Sequence, residues 1–573
     1  MRPRSPADRA STERGRGRAV VTWTAGAAVV LFYAALGLLV LAPEAVYSGD
    51  IGVKYVQAEA LAAHGFASLD IPYPGELLDP GRDFFPLRPP FVMTTAGETQ
   101  AIFPPASALI QAVAVSSFGF RGMIALSIVA AATIIAASLK LAPPDLGLPV
   151  VIAVGLGGPL WFYAVSGWEH APAVALGAAG FAVAARSAFA ARPAALIAGA
   201  LVAAGAALRD EVLLLAPGLL LTIWLRHRAW RPIGLAVAGF AIPLLAAAAI
   251  EVWWFGRPPA AHLRHAVHLL QTALQVTAEP NPDVPVLRPM TTRERYDTVV
   301  TYWLLGRGTD PQVAAFVAGL VVALVVRWKW QTSLGILLWL VAFGATAATD
   351  LWEVLTAPKW LAGLVRVSPY VVLALLPLAR GDRDSSLRLR VAVGGTTAAY
   401  LVIAFAGVDT SGGKSLGPRL LLPLLPLLTV SSVMAMASYL RSPSTIDRAV
   451  GWAGSALLGM AVAIHLGGAI PAYIQRNADD SSAVLAAAAS GERIVVADDM
   501  YTAQLLFPLY DRKIVLLADS TELGQRLGTV LADRRLPGAL LISRNPEPAV
   551  TLPPLRVDRT EQKGRMVIQY WRR

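Results

Sequence analysis

The sequence contains no cysteine among its 573 residues. This absence excludes disulfide bonds, cysteine-ligated zinc, iron–sulfur clusters and catalysis by a thiol. Charge is also scarce, because only 15% of the residues are charged, against about 25% in typical soluble domains. Apolar residues make up 55% of the chain, and the mean hydropathy is +0.55. This composition excludes a large soluble enzyme and a disordered chain.

Long apolar runs recur along the chain. A helix needs about 20 apolar residues to cross the roughly 30 Å hydrocarbon core of a bilayer. A further apolar stretch, 103–118, is shorter than this and has two prolines near its start. It predicts a juxtamembrane or re-entrant helix instead of a span. We predict thirteen spans, near residues 20–43, 122–140, 148–166, 170–189, 193–208, 211–226, 232–254, 311–326, 332–349, 361–379, 391–407, 418–440 and 449–471.

Basic residues predict the orientation of these spans. The first 19 residues carry six arginines, so the positive-inside rule places this tail in the cytoplasm. With alternation from there, the tail and the inner loops hold 20 Lys and Arg, and the short outer loops hold five. The net charge of +11 is then a signal of topology, and we expect no nucleic-acid partner.

The same topology places three polar regions outside the cytoplasm. Two are loops, at 44–102 and 255–310, and the third is the terminal segment 473–573. The predicted organisation is therefore a cytoplasmic basic tail (1–19), a transmembrane domain (20–472) and an extracytoplasmic domain (473–573). The predicted location is a bacterial inner (plasma) membrane, crossed several times.

The terminal segment has a different pattern from the rest of the chain. Short apolar runs resemble strands and are separated by helical stretches, for example 519–534, which predicts a small α/β domain. The predicted fold class is an α-helical polytopic membrane protein of about 13 helices, with a small C-terminal extracytoplasmic α/β domain. The strand-like runs lie at 493–497, 514–518 and 539–543.

Four clusters of ionisable residues fall on the predicted outer face. The first contains Asp50, with Lys54 one helical turn later. A carboxylate at this position can act as a general base on a hydroxyl group, and a nearby lysine can neutralise a phosphate. The alternative is structural, since Asp is a common cap of helix N-termini.

Two more clusters lie at turns between predicted spans. Glu169 and His170 enter an apolar run behind several aromatic residues. A belt of interfacial aromatic residues does not explain this pair, which could orient a ligand, bind a phosphate or bind a metal. Arg209 and Glu211 lie in a turn with almost no loop. Arg209 either pairs with a neighbouring acid or holds a phosphate through two hydrogen bonds.

The fourth cluster is the segment 409–419, which contains Lys414, Arg419 and three glycines. Glycine lets the backbone approach an anion closely, but the spacing differs from that of an ATP-binding loop. Because all four clusters fall on one face, they predict an extracytoplasmic site that handles an anion at the membrane interface.

Two other groups have simpler interpretations. His262, His265 and His268 recur every three residues, which favours an amphipathic interfacial helix over a metal site. Asp498 and Asp499 follow a predicted strand. They favour a loop at the strand end, with acceptor binding as the alternative.

Five motifs in order over about residues 20–440 resemble those of bacterial GT-C glycosyltransferases. This superfamily includes the dolichyl-phosphate-mannose protein mannosyltransferases and the lipid A aminoarabinose transferase. The resemblance does not extend to the terminal domain. The motifs lie at 49–54 (GDIGVK), 103–106 (FPPA), 168–172 (WEHAP), 208–211 (LRDE) and 412–419 (GGKSLGPR).

The resemblance implies an integral membrane enzyme that transfers a sugar, with inversion, from a polyprenyl-phosphate-linked donor to an extracytoplasmic glycan, lipid or protein. Asp50 occupies the position of the family's first-loop acid, which implies the role of general base. The sequence has a single Asp50 where paired acids would bind a metal, so we predict no cofactor and leave a divalent metal open. The implied residues for donor phosphate and sugar are Lys54, Glu169, His170, Arg209, Glu211, Lys414 and Arg419.

Two other functions fit part of the pattern. One is a transporter or flippase of a lipid-linked saccharide, which would place charges near the middle of the bilayer. The other is an enzyme similar to O-antigen ligases or polymerases, which would use a diphosphate-linked donor. The sequence names neither the sugar nor the acceptor.

Overall fold

Long apolar helices dominate the structure, a computed structural model that describes residues 6–95, 98–186, 191–256, 290–306, 309–357, 361–379, 384–407 and 416–573. Within these ranges, eight helical stretches are long and apolar enough to cross a membrane. The protein is therefore a multi-pass α-helical membrane protein, as the composition predicts. The eight stretches are Gly17–Val40, Phe120–Leu141, Trp230–Trp254, Asp310–Trp330, Leu334–Thr356, Leu387–Gly407, Arg419–Leu440 and Thr445–Ala489.

Shorter helices fill the space between these stretches. Several of them are 3-10 helices of three to seven residues. The α-helices are Gly49–Ala63, Pro105–Phe118, Gly147–Gly155, Leu160–Val165, His170–Arg186, Ala191–Leu208, Ala216–His227, Thr292–Tyr296, Leu364–Val367, Met500–Leu505 and Thr521–Asp533, and the 3-10 segments are Pro144–Leu146, Asp210–Leu215, Pro369–Leu375, Arg419–Leu424 and Phe507–Leu509.

Two predicted spans are not continuous helices. The span predicted at 148–166 breaks between Gly155 and Leu160, and the one at 361–379 contains only Leu364–Val367 and a 3-10 segment, Pro369–Leu375. A proline lies at each break: Pro159 caps the helix Leu160–Val165, and Pro369 is the first residue of the 3-10 segment. Because its ring removes a backbone donor, proline does not continue a preceding helix. The prediction of one unbroken helix is wrong for both segments.

The stretch 103–118 forms a helix, Pro105–Phe118, of 14 residues. At a rise of 1.5 Å per residue it is about 21 Å long, which is too short to cross the hydrocarbon core. Its proline at the first helical position needs no backbone partner. A short helix is therefore confirmed here, and its depth in the bilayer stays a prediction.

The C-terminal segment forms a five-stranded sheet in the order β4-β3-β5-β7-β6. The three predicted strands are confirmed, and β3 pairs in parallel with both β4 and β5. The sequence missed the final hairpin, because β6 is a largely exposed edge strand with a polar sequence. The strands are β3 (Ile494–Ala497), β4 (Ile514–Leu517), β5 (Gly538–Ser543), β6 (Arg556–Lys563) and β7 (Met566–Arg572), and a separate hairpin pairs β1 (Val92–Thr95) with β2 (Glu98–Ala101).

The terminal domain packs against the first predicted outer loop. The helical stretch Thr445–Ala489 runs through the predicted boundary at 473, and its Asn477 exchanges hydrogen bonds with the main chain of residues 42–45. The amide of Leu517, at the end of β4, donates to the carbonyl of Phe84 at 2.9 Å. The two predicted outer regions are thus in contact.

Ion pairs at the other end of the bundle also join residues predicted to share a face. Arg441 pairs with Asp145, and Arg327 lies 3.6 Å from Asp447. All four residues belong to the predicted cytoplasmic loops. The structure therefore separates the two predicted faces, while the choice of which face is cytoplasmic stays a prediction.

Candidate active site

Asp50 lies in the first turn of the helix Gly49–Ala63, which we call the Asp50 helix. Ser48, and not Asp50, is the N-cap residue, and its hydroxyl donates to the Asp50 carboxylate. The first turn favours a carboxylate, because the helix dipole is positive there. Asp50 is only 4% exposed, so its charge requires close partners.

Two cations provide those partners. The Arg419 guanidinium approaches Asp50 Oδ2 at 3.0 Å, and the Lys54 ammonium lies 3.7 Å from the same oxygen. Lys54 is one helical turn beyond Asp50, as predicted, and its side chain is 1% exposed. Arg419 comes from a segment 369 residues away in the sequence. Two residues before Arg419 lies Gly417, whose φ of +66° is a conformation that favours glycine.

The contacts continue from Lys54 to two further motifs. Lys54 Nζ lies 2.8 Å from Glu169 Oε1, and Arg209 Nη1 lies 2.7 Å from that same oxygen. Arg209 Nε also donates to Glu211 at 2.9 Å. Three cations and three carboxylates therefore balance in one line, which we call the ion-pair chain: Arg419, Asp50, Lys54, Glu169, Arg209 and Glu211.

Aromatic rings cover the cations of the ion-pair chain. The Lys54 ammonium lies 4.1 Å from the centre of the Phe103 ring, and the Arg419 guanidinium lies 5.7 Å from that of Trp168. Both separations allow cation–π attraction. Phe103 belongs to the FPPA motif, so all five motifs meet at this one place.

Several buried polar atoms of the site have no hydrogen-bond partner among the described residues. They are Glu169 Oε2, both ring nitrogens of His170, Trp168 Nε1 and Arg419 Nε. His170 Nε2 is 3.8 Å from Glu211 Oε1, which is too long for a hydrogen bond. Buried polar atoms normally find partners, because leaving them unpaired costs roughly 1–3 kcal/mol each. Four neighbouring residues with such atoms indicate a place where a polar ligand binds.

The surroundings of Asp50 determine its protonation. Burial by itself raises the pKa of this carboxyl, but the nearby charges of Lys54 and Arg419 outweigh it and lower the pKa to about 2. Burial also lowers the pKa of the Lys54 ammonium, against the opposing effect of Glu169 and Asp50. Asp50 is thus ionised at neutral pH, and removing one of its cations would make it a stronger base.

The structure brings seven of the eight predicted site residues together. Arg209 both pairs with Glu211, as one interpretation of that motif predicted, and reaches Glu169. The eighth residue, Lys414, and the three histidines at 262–268 lie outside the described residues. Asp499 caps the helix Met500–Leu505 through hydrogen bonds from the amides of residues 501 and 502, in agreement with a loop at the strand end.

Sequence analysis missed a contribution from the terminal domain. Gln504 is fully buried against the start of the Asp50 helix, and its side-chain amide has no partner among the described residues. A Cβ atom added to Gly49 would lie 2.0 Å from Gln504 Oε1, and one added to Gly52 would lie 2.1 Å from the Gln504 carbonyl. Only glycine allows this contact. Two glycines three apart share one helix face, and that spacing was the available signal.

Metal binding has no support from the arrangement of side chains. Across the described residues, no group of three or more His, Asp or Glu side chains is placed to hold a metal ion. The absence of a metal requirement stays a prediction, as does the absence of any other cofactor.

Comparisons with known proteins give matches only among solved structures. No protein-family model and no curated protein matches the chain. ArnT from Cupriavidus metallidurans bound to undecaprenyl phosphate is 14% identical, with 97% of this chain and 98% of that chain covered and a TM-score of 0.47. Its apo structure gives the same identity and TM-score over 96% of this chain and 98% of that chain.

A third solved structure is more distant. The apo oligosaccharyltransferase of Archaeoglobus fulgidus is 9% identical, with 91% of this chain and 69% of that chain covered and a TM-score of 0.39. The matched structures belong to GT-C glycosyltransferases, the superfamily that the motifs resemble. All three TM-scores lie below 0.5, so the function is argued below from the site.

Proposed function

We propose that this protein is an integral membrane glycosyltransferase that takes a sugar from a polyprenyl-phosphate donor and transfers it, with inversion, to an extracytoplasmic hydroxyl group. The observation that carries the proposal is the convergence of four separated motifs on one buried ion-pair chain, with Phe103 of the fifth motif against Lys54 and unpaired polar atoms beside it. Such an arrangement costs stability, and binding of an anionic, hydroxyl-rich ligand supplies the missing partners.

Donor binding would change the ion-pair chain in a defined way. A phosphate is a strong acceptor for a guanidinium, so it competes with Asp50 for Arg419. When Arg419 turns to the phosphate, Asp50 loses one of the two cations that lower its pKa. The carboxylate then becomes a better base when the donor is in place, and Lys54 still holds its position.

The transfer itself needs one proton acceptor and one place for negative charge. The acceptor oxygen attacks the anomeric carbon, and the bond from this carbon to the phosphate oxygen breaks on the opposite side. Asp50 takes the proton of the acceptor hydroxyl, and the departing polyprenyl phosphate keeps the electron pair. Arg419 and Arg209, with Lys414 as a further candidate, stabilise that charge.

The unpaired atoms have proposed roles in binding the sugar. Glu169 Oε2 can accept hydrogen bonds from sugar hydroxyls, and the ring nitrogens of His170 can hydrogen-bond the sugar or the phosphate. Glu211 holds Arg209 at 2.9 Å and so fixes the direction of its guanidinium. The lipid tail would remain in the membrane while the phosphate lies at its interface.

The test separates the proposed enzyme from the two alternatives. Purified protein in proteoliposomes is supplied with undecaprenyl-phosphate-linked sugars and with the corresponding diphosphate-linked sugars. We expect cleavage of the monophosphate-linked donor, with an inverted anomeric centre in the product. Movement of the intact donor across the bilayer without cleavage would identify a flippase, and use of the diphosphate donor alone would identify a ligase-like enzyme.

A matched pair of variants tests the phosphate site directly. Arg419→Gln should weaken binding of undecaprenyl phosphate by at least about tenfold, since a hydrogen bond to a charged group contributes about 1.5–3 kcal/mol. Arg556→Gln, on the exposed edge strand β6, is the control and should bind as the wild type does. Equal binding by both variants would contradict the role of Arg419.

A further inference from the structure

A second cavity lies on the other side of the Asp50 helix. Tyr55 and Glu59 line it, and at 3.6 residues per turn they project about 140° and 180° away from Asp50 around the helix axis. The cavity has a volume of about 330 Å³, within the usual range of small-molecule sites. By contrast, the cavity beside Lys54 holds about 10 Å³, room for about one water molecule.

Four parts of the chain form the walls of this second cavity. The first predicted outer loop contributes the Asp50 helix, and the junction of two apolar helices near residue 119 contributes Phe118, Phe120 and Arg121. The terminal domain contributes the segment 507–512, and the helix that leads into that domain contributes residues 484–488. The cavity thus lies where the terminal domain packs on the first outer loop, and it is open to the surface on one side.

Aromatic rings give the cavity an apolar wall. The Tyr55 ring lies 4.8 Å from the Phe507 ring and 5.9 Å from the Phe120 ring, and Phe120 and Phe507 are 5.4 Å apart, measured between ring centres. The rings meet edge-on or tilted, at interplanar angles of 65°, 77° and 51°, and together they form a packed apolar wall. The carbon-bound hydrogens on one face of a sugar ring suit this kind of surface.

Carboxylates give the same cavity its polar groups. Glu44, Glu59 and Asp511 line it together with Arg121 and Arg512, so the formal charge of the lining is −1. Glu59 already accepts a hydrogen bond from the Tyr55 hydroxyl at 3.2 Å. Carboxylates accept hydrogen bonds from hydroxyl groups but repel a phosphate, so the lining favours a neutral, hydroxyl-rich ligand over an anion.

We propose that this cavity is a saccharide-binding site, separate from the ion-pair chain, and that it holds a neutral glycan portion of the acceptor. Its position against the Asp50 helix links the two sites, because one helix carries Asp50 on one face and Tyr55 and Glu59 on the opposite face. The role as an acceptor site rests on the proposed transferase function. Binding of saccharide does not depend on that function and can be measured alone.

Saturation-transfer NMR on the full-length protein in nanodiscs tests the binding. The probes are methyl glycosides of common hexoses and pentoses, together with neutral disaccharides. At least one probe should show a saturation-transfer signal, and Glu59→Ala and Asp511→Ala should each weaken its binding by tenfold or more. Glu547→Ala, at an exposed position on the terminal domain, is the control and should leave binding unchanged.

Milder changes keep the proposal testable if an alanine variant unfolds. Tyr55→Phe keeps the ring and removes only the hydroxyl group that donates a hydrogen bond to Glu59. This variant should fold, and it should bind saccharide several-fold more weakly. Asp50→Asn should bind saccharide as the wild type does. If the wild-type protein binds saccharide as expected, with weaker binding in Tyr55→Phe, but transfers no sugar from any donor, only the transferase proposal fails.

Two results would overturn the saccharide site itself. One is that no probe binds in this cavity. That result would be shown by an absence of binding, or by binding that Tyr55→Phe, Glu59→Ala and Asp511→Ala all leave unchanged. The other is displacement of the saccharide by phosphatidylglycerol vesicles with tighter lipid binding in Glu59→Ala, which would identify a lipid headgroup site. Loss of transfer by Asp50→Asn alone bears on the transferase function and not on this site.

Discussion

Replacing Asp50 by Asn removes one negative charge from the ion-pair chain while keeping the shape of the side chain. Without the carboxylate, the acceptor hydroxyl loses its proposed general base. General-base catalysis contributes about 10²–10⁴-fold to a rate, which corresponds to about 3–5 kcal/mol of barrier. We therefore expect Asp50→Asn to reduce transfer by at least about 100-fold with saturating donor.

Donor binding by the same variant should change in the opposite direction. Arg419 lies 3.0 Å from Asp50, so in the wild type a phosphate has to compete with the carboxylate. Removing this competitor makes Arg419 available, and recovery of about 1.4 kcal/mol would tighten the Kd for undecaprenyl phosphate about tenfold. Tighter binding with lost transfer is a combination that general unfolding cannot produce.

The assay measures three quantities on purified protein: the Kd for undecaprenyl phosphate, single-turnover transfer and the midpoint of thermal unfolding. Asp50→Asn should be less stable, because Arg419 loses its carboxylate partner. Adding Arg419→Gln restores the charge balance and should recover part of that stability without recovering transfer. Asp533→Asn, at an exposed position, is the control. A folded Asp50→Asn variant that transfers within tenfold of the wild type would refute the role of Asp50 as base.

Further predictions concern packing, position and pH. Gly52→Ala places a methyl group against the Gln504 carbonyl and should cost about 1–3 kcal/mol in the free energy of unfolding, measured by denaturant titration. Gln504→Ala should lower kcat more than it raises KM, whereas the exposed control Gln525→Ala should change neither constant. Equal kinetic constants for the two variants would contradict a positioning role of Gln504. Asp447→Asn, at the opposite end of the bundle, should lower the unfolding midpoint and leave KM for the donor unchanged. The pKa of Asp50 is about 2 in the folded state and about 3.9 in the unfolded state. Its ionisation therefore stabilises the fold above about pH 4, and this effect is lost as the pH falls towards 2. The difference in unfolding free energy between the wild type and Asp50→Asn should be constant from pH 5 to 7 and shrink in acid.

Much of the site could be predicted because its residues occur in unusual local settings. Glu169 and His170 enter an apolar run, and Arg209 lies in a charged turn with almost no loop, so each is visible without any knowledge of the fold. What the local sequence did not reveal is the partner of each charge. Lys54 is a candidate phosphate ligand by sequence, but in the structure it lies between Asp50 and Glu169.

The helices show the same division. Length and hydropathy predicted most apolar helices, because a membrane span must be long and continuously apolar. They failed at 361–379, where the composition is apolar but the chain forms a short helix and a 3-10 segment. Most of these residues are buried within the protein, and neighbouring helices allow an irregular backbone that lipid would not.

The sequence by itself determined the membrane character, the grouping of the charged clusters on one face and the first three strands of the terminal sheet, while the outer position of that face stays a prediction. These features depend on local hydrophobicity, charge and strand length, which a short window of sequence contains. Only the tertiary structure decided that Arg419 pairs with Asp50 across 369 residues, and that Gln504 of the terminal domain presses on the Asp50 helix. Both contacts depend on how segments that are far apart in the sequence pack together, and a local pattern of residues does not identify the distant partner.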